Sequence, residues 1–156
     1  MRPRRLRSRS AGFNVVELMI VVFIIGALAA IAGPDMARMI RTQRIKTSAF
    51  DVLASLTLAR SEAIKRNLVV TIRPTGGDWS RGWTVTDSNN IVVKEQGALG
   101  SVTVVGPVAL SYAGNGRLNS AAVPQFDLSA TDVAAGSLRC IRVDLSGRPV
   151  AKEGAC

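Results

Sequence analysis

Histidine is absent from this 156-residue chain, and cysteine occurs only twice. Without an imidazole, neither a Ser-His-Asp nor a Cys-His nucleophilic arrangement can be assembled. Two thiols and no histidine also fall short of a structural zinc site. No glycine-rich segment has the order of a Walker phosphate loop, and the eleven acidic residues are scattered singly instead of paired. There is no repeat of fixed period and no low-complexity segment beyond the first twelve residues. No catalytic constellation emerges, so neither enzymatic activity nor a metal or cofactor is expected.

What the sequence does have is a discontinuity near its start. Five arginines in the first twelve residues give way, at Gly12-Phe13, to twenty-one residues ending at Gly33 of which only Glu17 is charged. As a helix this run would reach roughly 31 Å, about the thickness of a bilayer's hydrocarbon core. A carboxylate in such a helix costs about 2.5–3.5 kcal/mol on insertion scales for a central acid, so it demands a reason. Removal of residues 1–12 supplies one. Cleavage after Gly12 exposes an α-amino cation on Phe13 and makes Glu17 the fifth residue of the mature chain, where a neighbouring subunit's terminus can pair with it. Two alternatives use the same residues: a secretory signal cut after Ala27-Leu28-Ala29, before Ala30, or a simple single-pass anchor. Neither gains anything from Glu17. In either topology the leader arginines favour a cytoplasmic N-terminus.

The formal charge of +9 overstates the basicity of the mature protein, because without the leader fifteen basic residues face eleven acidic ones, a net of +4. The remaining charge is uneven, with seven Lys/Arg against two acids over residues 38–66 and four against two over 139–156. Cys140 and Cys156 both lie at the C-terminal end. In an exported domain they are expected to form a disulfide worth about 3 kcal/mol, and two separate thiols are the alternative.

Beyond Pro34 the pattern becomes amphipathic. Ala49, Val52, Leu53, Leu56, Ala59, Ala63 and Ile64 recur at helical spacing, which predicts a helix to about Arg66 with Asn67 as its C-cap. Leu68 to Ile72, rich in β-branched residues, then reads as a strand ending at Arg73-Pro74. Further short apolar runs (Trp83–Thr86, Ile91–Val93, Val102–Val105, Val108–Tyr112, Gln125–Leu128, Leu138–Leu145) are separated by turn-rich segments. One small α+β domain is expected, a long N-terminal helix packed on an antiparallel sheet. Gly76-Gly77 and Gly114-Asn115-Gly116 read as turns, and Trp79 and Trp83 as packing residues more readily than as stacking platforms for bases.

The string Gly12-Phe13-Asn14-Val15-Val16-Glu17-Leu18 resembles the type IV prepilin signature: Gly before the cut, Phe after it, Glu at the fifth mature position. That resemblance implies a prepilin peptidase that cleaves between Gly12 and Phe13 and methylates Phe13. It also implies a membrane and assembly helix over 13–34, a head over 35–156, and a role for Glu17 in assembly. Pro34 stands where pilins often carry a helix-breaking proline. The strings Leu58-Ala59-Arg60-Ser61-Glu62-Ala63-Ile64-Lys65-Arg66-Asn67, Trp79-Ser80-Arg81-Gly82-Trp83 and Ser146-Gly147-Arg148 are similar to the GspH/FimT subfamily of minor pilins and pseudopilins. The resemblance implies a type IV pilin-like fold, an inner-membrane subunit with a periplasmic head, and partners among other pilins or pseudopilins. Two functions follow from it: a minor pilin of the FimT kind that also binds DNA for natural transformation, or a GspH-like pseudopilin of type II secretion without DNA binding.

Four cations near the C-terminus bear on that choice. Alternation along Leu138–Leu145 sends Ile141, Val143 and Leu145 to one face and Arg142 and Asp144 to the other. Arg139 shares the apolar parity and is expected to escape burial only at the strand's start, its guanidinium in water. With Arg142, Arg148 and Lys152 it is a candidate phosphate-binding patch. The DNA-binding string of FimT-like pilins, Gly-Arg-x-Arg, is here Gly147-Arg148-Pro149-Val150, so the second arginine is replaced. The alternative is a solvated surface that keeps an exported domain soluble.

Overall fold

The long helix starts at a residue suited to capping it. In the computed structural model, which describes residues 14–156 and all their side chains except those of 31–34, Asn14 Oδ1 accepts the Val16 N–H at 3.3 Å and the Asn14 carbonyl accepts that of Leu18 at 3.2 Å. Asparagine favours this position because its side chain satisfies a donor that the first turn leaves open. Helix α1 spans Val15–Arg66. It stops at Asn67, whose φ of 53° lies in the left-handed region. There Leu68 N–H reaches back to the Ala63 carbonyl and Asn67 N–H to that of Ile64, the paired bonds of a Schellman turn. The expected cleavage site, Gly12 and Phe13, lies outside the described residues, as does the side chain of Pro34.

The chain divides into two units after Ala37. In the first, the side chains from Asn14 to Ala30 are all exposed. Among the described residues no single helix is long and apolar enough to cross a membrane; Val15–Ala30 and Asp35–Arg66 meet that requirement only together, by length and composition.

The second unit holds eight strands, β1 (Val70–Thr75), β2 (Asp78–Asp87), β3 (Val92–Gln96), β4 (Thr103–Val105), β5 (Leu110–Tyr112), β6 (Gln125–Ser129), β7 (Arg139–Val143) and β8 (Pro149–Glu153). The sequence predicts one sheet; the strands form two, ordered β3-β2-β1-β5 and β4-β6-β7-β8, every pairing antiparallel. The α+β class and the helix-on-sheet arrangement are as expected. One stripe of α1 (Ile45, Ala49, Val52, Leu56, Ala59, Ala63) is buried in a core with Ile72, Trp83, Val85, Tyr112, Phe126, Leu128 and Ile141. Every core residue lies between Ile45 and Val143, so this unit encloses its own hydrophobic centre without residues 14–37. Ile64, expected in the buried stripe, is 51% exposed because it flanks the Gly114–Gly116 turn from outside. Cys140 and Cys156 are disulfide-bonded, and the tail is held further by Cys156 N–H donating to Asp127 Oδ1 at 2.7 Å.

Candidate functional site

The three strings singled out in the sequence act first as fasteners of the head. Arg60, on α1, donates from Nε to the Gly116 carbonyl at 3.0 Å and from Nη2 to that of Ser146 at 3.1 Å, tying two separate turns to the helix. Gly147, in the second of those turns, has φ 85°, and a Cβ there would run into the Gly116 carbonyl oxygen; only glycine meets both demands. At the helix end, Arg66 lies between two carboxylates, Glu62 at 2.7 Å and Asp87 at 2.9 Å. Asp87 Oδ1 also accepts the N–H groups of Asn89 and Ile91. The Ile91 N–H, with those of Asn89 and Arg66, holds the Asp87 carboxyl below its ordinary value against the opposing effect of burial. Hydrogen bonding from Arg66 likewise lowers Glu62.

In the middle string, Trp79 donates from its indole to the Pro107 carbonyl at 2.8 Å and meets Phe126 edge-on, ring centres 4.8 Å apart. Trp83 is fully buried. Neither indole presents a face on which a base could stack, so packing is their role. Gly82 has φ 100°, and a Cβ would strike the Gln96 carbonyl. The indole nitrogen of Trp83 and the Tyr112 hydroxyl have no partner among the described residues, and burial pushes the Tyr112 phenol up, so it stays neutral. Among the described residues no three His, Cys, Asp or Glu side chains gather where a metal ion could sit.

The four candidate phosphate ligands do not form one patch. Strand β7 pairs with β8 so that Cys140 faces Lys152, Arg142 faces Val150 and Arg139 faces Glu153. Arg142, Arg148 and Lys152 therefore share the parity of the sheet's outer face, Arg148 lying just beyond the strand at the hairpin turn. Arg139 points the other way. It begins β7, as the solvated reading required, yet its side chain is only 11% exposed and pairs with Glu153 at 2.8 Å while donating to the Gly136 and Leu138 carbonyls. The expectation of a free guanidinium at Arg139 is overturned: its stem follows the apolar parity inward and its charge is neutralised there. Arg142 lies beside Gln125, whose amide, turned so that its oxygen faces β7, accepts from Nη2 at 2.9 Å and Nε at 3.3 Å. On the same outer parity stand Asp127 and Asp144, which dilute the positive field.

In the unit that ends at Ala37, Glu17 lies in the first turn of α1, where a carboxylate complements the helix dipole. It is the one acid on a helix face of exposed Val, Leu, Met, Ile and Phe side chains.

Comparison with known proteins places this geometry. Two crystal forms of the type IV minor pilin FimU from Pseudomonas aeruginosa share the fold: TM-score 0.63 at 18% identity, covering 70% of this chain and 89% of that one, and TM-score 0.59 at 19% identity, covering 69% and 91%. No curated protein matches the sequence. The family described as Type II transport protein GspH matches residues 48–147, a span that includes Arg60, the Glu62-Arg66-Asp87 cluster, both tryptophans and Gly147. With nearly two thirds of its length matched and a minor-pilin fold, the chain belongs to the GspH/FimT family of type IV pilin-like proteins.

Proposed function

We propose that this chain is a minor type IV pilin. It is made as a prepilin, cut between Gly12 and Phe13 and methylated on Phe13 by a prepilin peptidase. Residues 13–34 hold it in the inner membrane, with the head, residues 35–156, in the periplasm, until it enters a filament. The observation that carries the reading is an apolar helix, exposed along Val15–Ala30 with Glu17 as its one acid, attached to a head whose core is complete without it. Such a helix is stable only in lipid or among like helices. Glu17 then serves assembly, pairing with the cationic terminus of a neighbouring subunit, and contributes nothing to the head's fold. The test is recovery of the chain in filaments sheared from cells. Wild type is recovered, while Glu17→Ala is cleaved and inserted yet absent; equal recovery of the two overturns the role.

A pseudopilin of a type II secretion system uses the same helix, processing and fold, and the family description favours it. Deletion separates the two: loss of surface pili supports the pilin, and loss of protein secretion with pili intact supports the pseudopilin. A DNA-binding role rests on Arg142, Arg148 and Lys152 sharing one face of the β7–β8 hairpin. Contacts would be to phosphates, without sequence preference, and three of them give a log-log salt slope of about −2.7. A mobility-shift titration of the head reads it, and Arg142→Gln with Arg148→Gln should abolish the shift. Binding unchanged by that pair of substitutions would reduce the face to a solvated surface.

A further inference from the structure

The tail of the head forms a surface that neither the filament helix nor the cationic face uses. Strand β8 is an edge, since among the described residues it pairs with β7 alone. The Asp144 N–H bonds to the Arg148 carbonyl and the Gly154 N–H to that of Leu138. By antiparallel alternation, residues 148, 150, 152 and 154 therefore turn their backbone groups toward β7, and 149, 151 and 153 turn theirs outward. Pro149 has no N–H to offer. Ala151 and Glu153 keep both donor and acceptor free at the edge.

This free edge borders a groove of about 320 Å³ between β8 and the outward side of α1, lined by Lys46, Ala49, Phe50, Leu53, Arg139, Ala151 and Glu153. Phe50 is 70% exposed there, an aromatic side chain largely open to solvent. The charges in the groove do not cancel. Arg139 and Glu153 neutralise each other at 2.8 Å, which leaves the ammonium of Lys46 without a partner among the described residues. The head as a whole carries fifteen Lys/Arg against nine Asp/Glu from residue 38 onward, a net of +6, so a second copy meets like charge.

We propose that this groove docks an extended segment of another polypeptide, apolar and acidic by turns along the one face it lays into the groove, which adds to the β4-β6-β7-β8 sheet beside β8. Its backbone pairs with Ala151 and Glu153, an apolar side chain covers Phe50, and a carboxylate two residues away meets Lys46. Strand addition draws affinity from main-chain hydrogen bonds and specificity from pockets for alternate side chains. The Cys140–Cys156 disulfide and the Cys156–Asp127 bond fix the chain just past β8, so little ordering is lost when the edge is occupied. Proteins protect free edges with proline and inward charge. Here Pro149 guards only the first residue, and the inward charge, Glu153, is already paired.

The inference needs neither leader processing nor DNA binding, so its test is independent of both. The probe is a short capped peptide, Val-Thr-Glu-Thr-Val-Thr-Glu, which puts valine and glutamate two residues apart on one face of a strand, with the same peptide carrying lysine in place of each glutamate as control, titrated into the isotope-labelled head and followed by backbone amide shifts. Shifts centred on Ala151 and Glu153, with the glutamate peptide bound roughly tenfold tighter than the lysine one, are expected. Phe50→Ala should weaken both peptides, and Lys46→Glu should reverse their order. Both side chains are exposed, so the variants should melt like wild type. No shift at millimolar peptide, shifts elsewhere, or equal affinity for the two peptides overturns the proposal. So does concentration-dependent self-association lost in Phe50→Ala, which would make the occupant a second copy.

Discussion

Removing the Cys140–Cys156 bond tests the energetics of the head most simply. Cys156→Ser changes an exposed residue and leaves the buried Cys140 side chain in place. With a sequence separation of 16, the closed loop restricts the unfolded chain by about 10 cal/mol/K, or about 3 kcal/mol at room temperature, in the chain-entropy account. In the folded state the variant forgoes little, since Cys156 N–H can still reach Asp127. For a head of this size such a loss lowers the thermal midpoint by roughly 10 °C. The urea m-value should rise, because the uncrosslinked chain exposes more surface on unfolding. Paired thermal and urea melts of the head, as wild type, as Cys156→Ser and as wild type under reductant, read both quantities. The two perturbed samples should agree. A midpoint within a degree or two of wild type, with an unchanged m-value, would refute the reasoning and mean that the tail's other contacts already confine it.

Three further outcomes concern the fasteners of the head. Because the folded-state pKa of Asp87 lies below its unfolded value, its contribution is fully present above about pH 4, the unfolded carboxylate range, and fades as pH falls through the folded value. Asp87→Asn should therefore give a shallower loss of stability in acid than wild type, read by melts between neutral and low pH; parallel acid limbs would show that the Arg66 cluster is not responsible. Gly82→Ala, which forces a side chain against the Gln96 carbonyl at φ 100°, should leave little folded head by near-ultraviolet circular dichroism, whereas Gly77→Ala, with open space around it, should fold and pay only for its positive φ. Arg60→Lys should destabilise the head nearly as much as Arg60→Ala in urea titration, because an ammonium cannot reach both the Gly116 and Ser146 carbonyls; full rescue by lysine would contradict the two-turn role.

The parts of this fold that depend on periodicity were legible in the sequence. The helix end at Asn67, the buried stripe of Ala49, Val52, Leu56, Ala59 and Ala63, and the inward Ile141 and Val143 all follow from 3.6- and 2-residue spacing, a local property of the chain. The division of the strands into two sheets was not, because it is decided by pairing partners far apart in sequence. Strand β8 is hidden by its composition: Pro149-Val150-Ala151-Lys152-Glu153 begins with a residue that cannot donate, and of the four that follow only Val150 favours a strand. It is a strand because the hairpin at Gly147 and the disulfide lay it on β7. From sequence Arg139 reads as a solvated cation; its parity is the correct signal, and its partner Glu153 is invisible until β8 is paired with β7. Asp87 and Arg60 drew no attention as fasteners, since a single charged residue in a turn or on a helix looks the same whether it is solvated or bonded to distant backbone.

The central claim is that a prepilin-type leader is removed so that the exposed helix and Glu17 can enter a filament, and the mature N-terminus tests it most directly. Intact-mass and N-terminal peptide analysis of the protein recovered from its native membrane should show a chain beginning at Phe13 and carrying one added methyl group, with Gly12→Val accumulating uncut. A mature chain beginning at Ala30, or wild-type protein that retains Met1, would contradict the account.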